Sequence, residues 1–154
     1  MPLWSIITIN VIAVPVVWCL VVWVIAKVFG WQKIARIYPM THKIPNEKTV
    51  GMQSLRIGYF SQYNNAITYG FSDQGLSLQV LSIFRLGHPP IFIPWEDLLA
   101  QETRIFKTFP MVRLVLIKDP NRKLFLRPKQ VERFAKLAGD YWPRTQPMDK
   151  TIAQ

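Results

Sequence analysis

Asp, Glu, Lys, Arg and His are all absent from residues 1–26, so the chain's 19 Lys and Arg fall entirely in the remainder. An uncharged apolar run of this length exceeds the roughly 20 residues that an α-helix needs to cross about 30 Å of hydrocarbon, and a modest tilt is expected. Residues 1–29 are therefore expected to be a transmembrane anchor, with Pro15 inside it. A cleaved secretory signal would want a basic leader, an apolar stretch of about 7–15 residues and a small-x-small cleavage site, and the sequence offers none of these. Cysteine is nearly absent too: Cys19 stands alone within the apolar run. That excludes a disulfide framework, a metal-binding Cys pair and a redox pair.

The signatures of catalysis are equally scarce. Gly70 and Gly75 have the spacing that begins a phosphate-binding loop, but Leu76 stands where its lysine belongs. Gly75-Leu76-Ser77-Leu78-Gln79 lacks the second glycine of a nucleophile elbow. There is no Cys-x-x-Cys, His-Glu-x-x-His or calcium-loop pattern, and the two histidines, His42 and His88, are far apart. The adjacent Glu96 and Asp97 invite an acid/base reading, although on a strand they would face opposite ways, so a turn or local cap is the better account. Asn64 and Asn65 read as turn formers for the same reason. His88 sits in the stiff loop Gly87-His88-Pro89-Pro90, where it is either a proton-sensitive contact or, as we prefer, a turn side chain bonded to neighbouring backbone. No catalytic, cofactor or metal site is expected; an enzyme with an unrecognised site is the alternative of another class.

What the chain has in excess is positive charge, +10 overall. Lys27, Lys33, Arg36 and Lys43 follow the apolar run closely, with Lys48 next and Glu47 the sole acid among them. Basic flanks are retained on the cytoplasmic side, which predicts an N-terminus outside the cell membrane and the bulk of the chain inside. Lys27, Lys33, Arg36 and Lys43 are the expected contacts with anionic lipid headgroups. Between Arg104 and Lys136 the only acids are Asp119 and Glu132, so the rest of the chain is basic as well. Nucleic acid is the weaker partner for that charge: Phe106, Phe109 and Phe125 alternate with basic residues at a spacing that more often marks a strand's core face. Trp4 and Trp23 suit the two membrane boundaries, whereas Trp18 and Asn10 lie inside the span and suggest packing against another membrane helix.

Beyond Gly30, the apolar residues Trp31, Ile34, Ala35 and Tyr38 recur with helical period and predict a short helix on the membrane, ended by Pro39. Residues 30–48 thus form a juxtamembrane helix and linker. From residue 49 to 142 the period becomes that of strands: Met52 to Tyr59, Ala66 to Phe71, Leu76 to Arg85, Ile91 to Trp95, Leu99 to Phe109, Met111 to Ile117 and Lys123 to Leu126. Asp119-Pro120-Asn121 reads as a turn. Val131, Phe134, Ala135 and Ala138 then mark an amphipathic helix beginning near Pro128 and ending by Pro143, and residues 143–154 read as a disordered tail. The expected fold is an N-terminal transmembrane helix plus a mainly-β domain, a pleckstrin-homology-like barrel of about seven antiparallel strands closed by a C-terminal helix.

Gly30-Trp31, Tyr38-Pro39, Tyr63-Asn64-Asn65, Gly75-Leu76 and the run from Phe84-Arg85-Leu86-Gly87-His88-Pro89-Pro90 to Ile93-Pro94-Trp95-Glu96-Asp97-Leu98 carry a resemblance. Across about residues 30 to 98 the chain resembles a group of uncharacterised bacterial single-pass membrane proteins, and Ile-Pro-Trp-Glu-Asp-Leu looks like the middle of pleckstrin-homology and GRAM-like domains. The resemblance implies a fold and a placement at the bacterial inner membrane, with no reaction or ligand. Strand alternation leaves Leu81, Ile83 and Phe92 on an outer face beside His88, an expected interface patch for lipid or a membrane-protein partner. The expected function is a non-enzymatic, membrane-anchored binding module, with an accessory or assembly subunit of a larger membrane complex as the runner-up.

Overall fold

A computed structural model describes residues 3–147. Helix α1 (Leu3–Val28) is continuous through Pro15 and is the one described helix long and apolar enough to cross a membrane. A tight reversal at Gly30 (φ 83) leads into α2 (Trp31–Ile37). The strands follow: β1 (Lys48–Ile57), β2 (Ser61–Phe71), β3 (Gly75–Val80), β4 (Ile91–Pro94), β5 (Leu98–Ile105), β6 (Phe109–Leu116) and β7 (Asp119–Leu126). Helix α3 (Pro128–Ala138) and the short β8 (Thr145–Gln146) complete the described chain.

The expected mainly-β domain is present, but its sheet is open rather than closed into a barrel. Eight strands run in the order β4-β3-β2-β1-β7-β6-β5-β8, with β4 and β8 at the two edges. Strand β1 joins the halves, since its end pairs with β7 only at Arg56↔Phe125 and Ile57↔Leu124. α3 bridges the same halves from its buried face: Phe134 stacks on Tyr69 and Phe71 of β2, at 4.5 and 5.1 Å between ring centroids, while the helix also packs on β6. Pro128 opens α3 where its missing N–H costs nothing. The helix stops at Gly139 (φ 61), ahead of the Pro143 that the sequence nominates.

Three further expectations are corrected. The strand read from Leu76 to Arg85 ends at Val80, paired with Ile67 of β2 and two residues past its last pair with β4 at Leu78↔Ile91; Ser82–Phe84 is a 3-10 turn instead. Asp119-Pro120-Asn121 is the start of β7, paired through Leu116↔Asp119, and the turn is Ile117-Lys118. Proline is tolerated there because this end of β7 has no β1 residue opposite it. Thr145–Gln146, assigned by sequence to a disordered tail, pairs in parallel with Ala100 and Gln101 of β5; the rest of that stretch from residue 148 onward lies outside the described residues.

The apolar face of α2 does not face a membrane. Trp31, Ile34, Ala35 and Tyr38 are all at most 5% exposed and belong to the same hydrophobic core as Leu55, Tyr69, Leu78, Leu114 and Phe134. The helix that follows the anchor is therefore an internal element of the domain, and residues 39–48 connect two parts of one body. Met40 and Phe92 donate backbone hydrogen bonds to Pro90 O and Tyr38 O, which ties that segment to β4.

Candidate membrane-contact surface

The last third of α1 is packed against the domain. Val22 and Ala26, one helical turn apart, are 3% and 0% exposed, in contrast to Val11, Val14 and Val17, which are all more than half exposed. One turn earlier, the Trp18 ring lies 5.5 Å from that of Phe84, and its indole N–H points at Ile83 O at 3.5 Å. The expected outside partner for Trp18 is thus its own domain. Gly87 (φ 75) makes the close approach possible: a Cβ there would sit 3.2 Å from both Ala26 Cβ and Trp23 Cδ1.

The loop from Arg85 to Pro90 is the seat for both helices. Trp31 of α2 donates its indole N–H to Pro89 O at 2.8 Å, and Gln32 donates to Gly87 O at 3.2 Å. His88 is 2% exposed and stands edge-on to the Trp31 and Tyr63 rings, with centroids 5.6 Å away in each case. Its Nδ1 lies 3.2 Å from Leu86 O, and its Nε2 lies 3.1 Å from the Tyr63 hydroxyl. A carbonyl only accepts, so Nδ1 carries a proton; in the neutral ring Nε2 then accepts from the Tyr63 hydroxyl and both nitrogens are used. Burial pushes the His88 pKa below its ordinary 6.5, against the opposing pull of its backbone hydrogen bonds to Leu86 and Phe84. Burial likewise raises that of Tyr63. The sequence reading of His88 as a side chain bonded to nearby backbone describes its place, and its membership of an exposed patch does not.

This depression fixes the sign of one pH dependence. The unfolded chain takes up a proton on His88 near its ordinary value, while the folded chain resists it. Stability is therefore level above about pH 6.5 and falls as pH drops below it, because there the unfolded state binds more protons. Thermal melts from about pH 8 to pH 5 on the wild type and His88→Gln are the check, since their difference isolates this group from the carboxylates. A wild type that gains stability toward acid relative to His88→Gln contradicts the neutral assignment.

Of the other residues singled out by sequence, Lys27, Lys33, Arg36 and Lys43 are exposed, with Lys27 Nζ 4.9 Å from the Trp23 ring centroid. Ile83 is 66% exposed, but Leu81 and Phe92 are half-buried, so the four residues of the expected patch do not share one outer face. Phe92 instead lies across Gly75, opposite Ser77. Glu96 and Asp97 sit in a 3-10 turn, where Asp97 pairs with Lys118 at 2.8 Å, a structural contact that anchors the β6–β7 turn beside Tyr38. Among the described residues no group of His, Cys, Asp and Glu could hold a metal ion.

Sequence reasoning missed the most prominent surface. Phe60, at the tip of the β1–β2 turn, is 92% exposed, and Phe106 and Phe109, at the β5–β6 turn, are 63% and 62% exposed. Tyr59 connects the two tips, 6.3 Å from Phe106 between centroids and capped by Lys123 Nζ at 4.4 Å. Phe106 and Lys107 both adopt left-handed backbone (φ 51 and 59), a conformation that costs a bulky residue about 1–2 kcal/mol. The alternation that made Phe106 and Phe109 look like core breaks at this turn. Their neighbours Ile105 and Phe125 are the buried ones. Lys107 and Arg104 flank the aromatic tip; Leu86, 51% exposed, is a further exposed apolar side chain, in the loop after Ile83. No family model matches the chain, and no curated protein or solved structure matches it.

Proposed function

We propose that this chain is a non-enzymatic, single-pass membrane-anchored binding module whose basic sheet domain is seated in the headgroups of an anionic bilayer. In this reading α1 spans the membrane with its N-terminus outside, and the domain, a pleckstrin-homology/GRAM-like unit, lies on the cytoplasmic side. The strand order with β1 joining two halves, and α3 packed across them, supports that kinship at the level of arrangement.

The observation that carries the proposal is the level at which the domain meets α1. A helix needs about 20 residues to cross about 30 Å of hydrocarbon. Counted from Leu3, the start of α1, that length reaches Val22, one turn beyond Trp18, where the helix already touches the domain. Lodging α1 in a bilayer therefore draws the side of the domain next to Trp18 into the interface. Ile83 and Leu86, exposed apolar groups in the segment next to Trp18, then enter a medium that suits them, and Phe60, the chain neighbour of Ser61 in the crevice that Trp18 lines, is expected to follow. Arg104, Lys107, Lys27 and Lys33 add an attraction of about 1 kcal/mol for each that reaches anionic headgroups. The accessory-subunit reading rests on Trp18, Asn10 and Pro15 in the span; Trp18 touches Phe84 of its own chain and keeps 47% of its surface exposed.

Spin labels on the full chain in nanodiscs test the seating. With Cys19, the sole cysteine, replaced by Ala, labels at Ile83→Cys and Phe60→Cys are expected at headgroup depth or below in anionic bilayers. They should become shallower as salt rises from about 0.1 M to 1 M and screening tightens from about 10 Å to 3 Å. Both labels in bulk water would sink the proposal. Orientation has its own test: protease added to the cytoplasmic face of inverted vesicles should attack exposed turns of the domain, and digestion only from the opposite face reverses the topology.

A further inference from the structure

Between α1 and β2 lies a crevice of about 260 Å³, walled by Trp18, Val22 and Ile25 on one side and by Tyr63, Ala66 and Phe84 on the other. It is larger than a cavity of about 150 Å³ that stays dry and takes up benzene. Its polar lining is Ser61, Gln62, Asn64 and His88, of which Ser61, 5% exposed, has an Oγ with no hydrogen-bond partner among the described residues. A buried hydroxyl in a largely apolar crevice is costly unless something completes it. At the crevice rim Gln62 also lines a second cleft of about 270 Å³, which contains Arg56, Arg127 and Gln130 at the start of α3. Arg56 donates to Gln62 Oε1 at 2.7 Å and to Tyr59 O at 3.1 Å, so its guanidinium is held in the second cleft against Gln62, the residue that lines both spaces.

A largely apolar crevice, an unanswered hydroxyl in its wall and, past Gln62 on the other side of β2, a guanidinium offer the three chemistries of a phospholipid: acyl chain, ester and phosphate. We infer that the two spaces form one site for a single anionic phospholipid drawn from the surrounding bilayer. One acyl chain lies between α1 and β2, Ser61 O–H donates to an ester oxygen, and Arg56 and Arg127 face the phosphate. A planar guanidinium already fixed by two hydrogen bonds retains N–H donors for an anion and binds it without first being ordered. The occupant is a lipid rather than a soluble anion because one wall of the crevice is the helix that, in the reading above, crosses the bilayer, and the inference rests on that reading.

Native mass spectrometry of the full chain, released from nanodiscs of mixed zwitterionic and anionic phospholipid, tests the site. The wild type is expected to carry one anionic phospholipid per chain. Val21→Trp, on the half-exposed flank of α1 that lines the crevice, fills the space and should abolish retention. Arg56→Gln should lower it about tenfold, the weight of one charge-assisted hydrogen bond. Ser61→Ala, which removes only the hydroxyl, should lower it by a smaller factor and serves as the variant least disturbing to the fold. Inorganic phosphate should not displace the lipid. The site is refuted by a wild type that retains no phospholipid or retains zwitterionic lipid as often as anionic. It is equally refuted if Val21→Trp retains as much as wild type, or if a protein co-migrates in the lipid's place. Labels at residues 60 and 83 read the seating separately: normal depth with no retained lipid refutes this site alone, whereas labels in water refute the seating.

Discussion

Replacing Trp31 with alanine should destabilise the folded chain by about 3–5 kcal/mol, the range for removing a fully buried large aromatic. The side chain is 0% exposed, stacks on both Tyr63 and His88, and holds the Pro89 carbonyl. Its loss leaves a cavity and, within it, an acceptor with no donor. The functional consequence is larger than the stability number implies, because Trp31 fastens the loop on which α1 rests. In Trp31→Ala the Arg85–Pro90 loop should loosen, exposing Trp18 and the Ala26 face of α1. Trp31→Phe keeps most of the packing but not the N–H and should fall between. Denaturant titration of the full chain in detergent, with limited proteolysis at the loop, measures both effects; a loss below about 1 kcal/mol for Trp31→Ala would show that the helix is not fastened here.

An effect of similar size is expected at the other end of the core. Phe134→Ala should cost about 3–5 kcal/mol, since the ring is 0% exposed and lies among Tyr69, Phe71 and Trp142. An open sheet whose two halves meet through only the end of β1 depends on something filling the angle between them, and α3 does so largely with this ring. Phe134→Leu, which refills most of the volume, should recover more than half of the loss. Calorimetry of the full chain distinguishes the outcomes. Equal melting of Phe134→Ala and wild type would mean that the halves hold together without α3.

The parts of this architecture that were legible in the sequence are those set by local chemistry. Absence of charge over residues 1–26 marked α1, and Pro39 marked the end of α2 at Ile37. Alternation placed Leu76, Leu78 and Val80 in the core, where they lie. What failed was inference about the far side of each contact. Periodicity shows that Trp31, Ile34, Ala35 and Tyr38 share a face, but not whether lipid or protein covers it. Ser82 and Phe84 continue the alternation of β3, yet pairing stops at Leu78 with β4 and at Val80 with β2, limits that the alternation itself does not mark. The His88 loop was recognisably stiff, while the partners that bury His88 come from α2 and β2. Phe60 was passed over, and Phe106 and Phe109 were read as a core face, because a turn of a few residues separates a core aromatic from an exposed one, and boundaries are the weakest part of such a reading.

The burial of α2 also determines how the domain meets other molecules. A domain hung from its anchor by a flexible stretch of ten residues would roam over roughly 17 Å, scaling with the square root of linker length. Here only Phe29 and Gly30 separate α1 from Trp31 in the core, and residues 39–48 come too late to act as a leash. The domain has no reach. With α1 in a bilayer, as proposed, the domain's orientation would be inherited from the helix, and its encounters with membrane-resident molecules would be collisions in a plane, at fixed height and with one face presented. A ligand confined to that same layer meets it at high effective concentration without any linker to search, whereas a soluble molecule finds only the face turned away from the lipid.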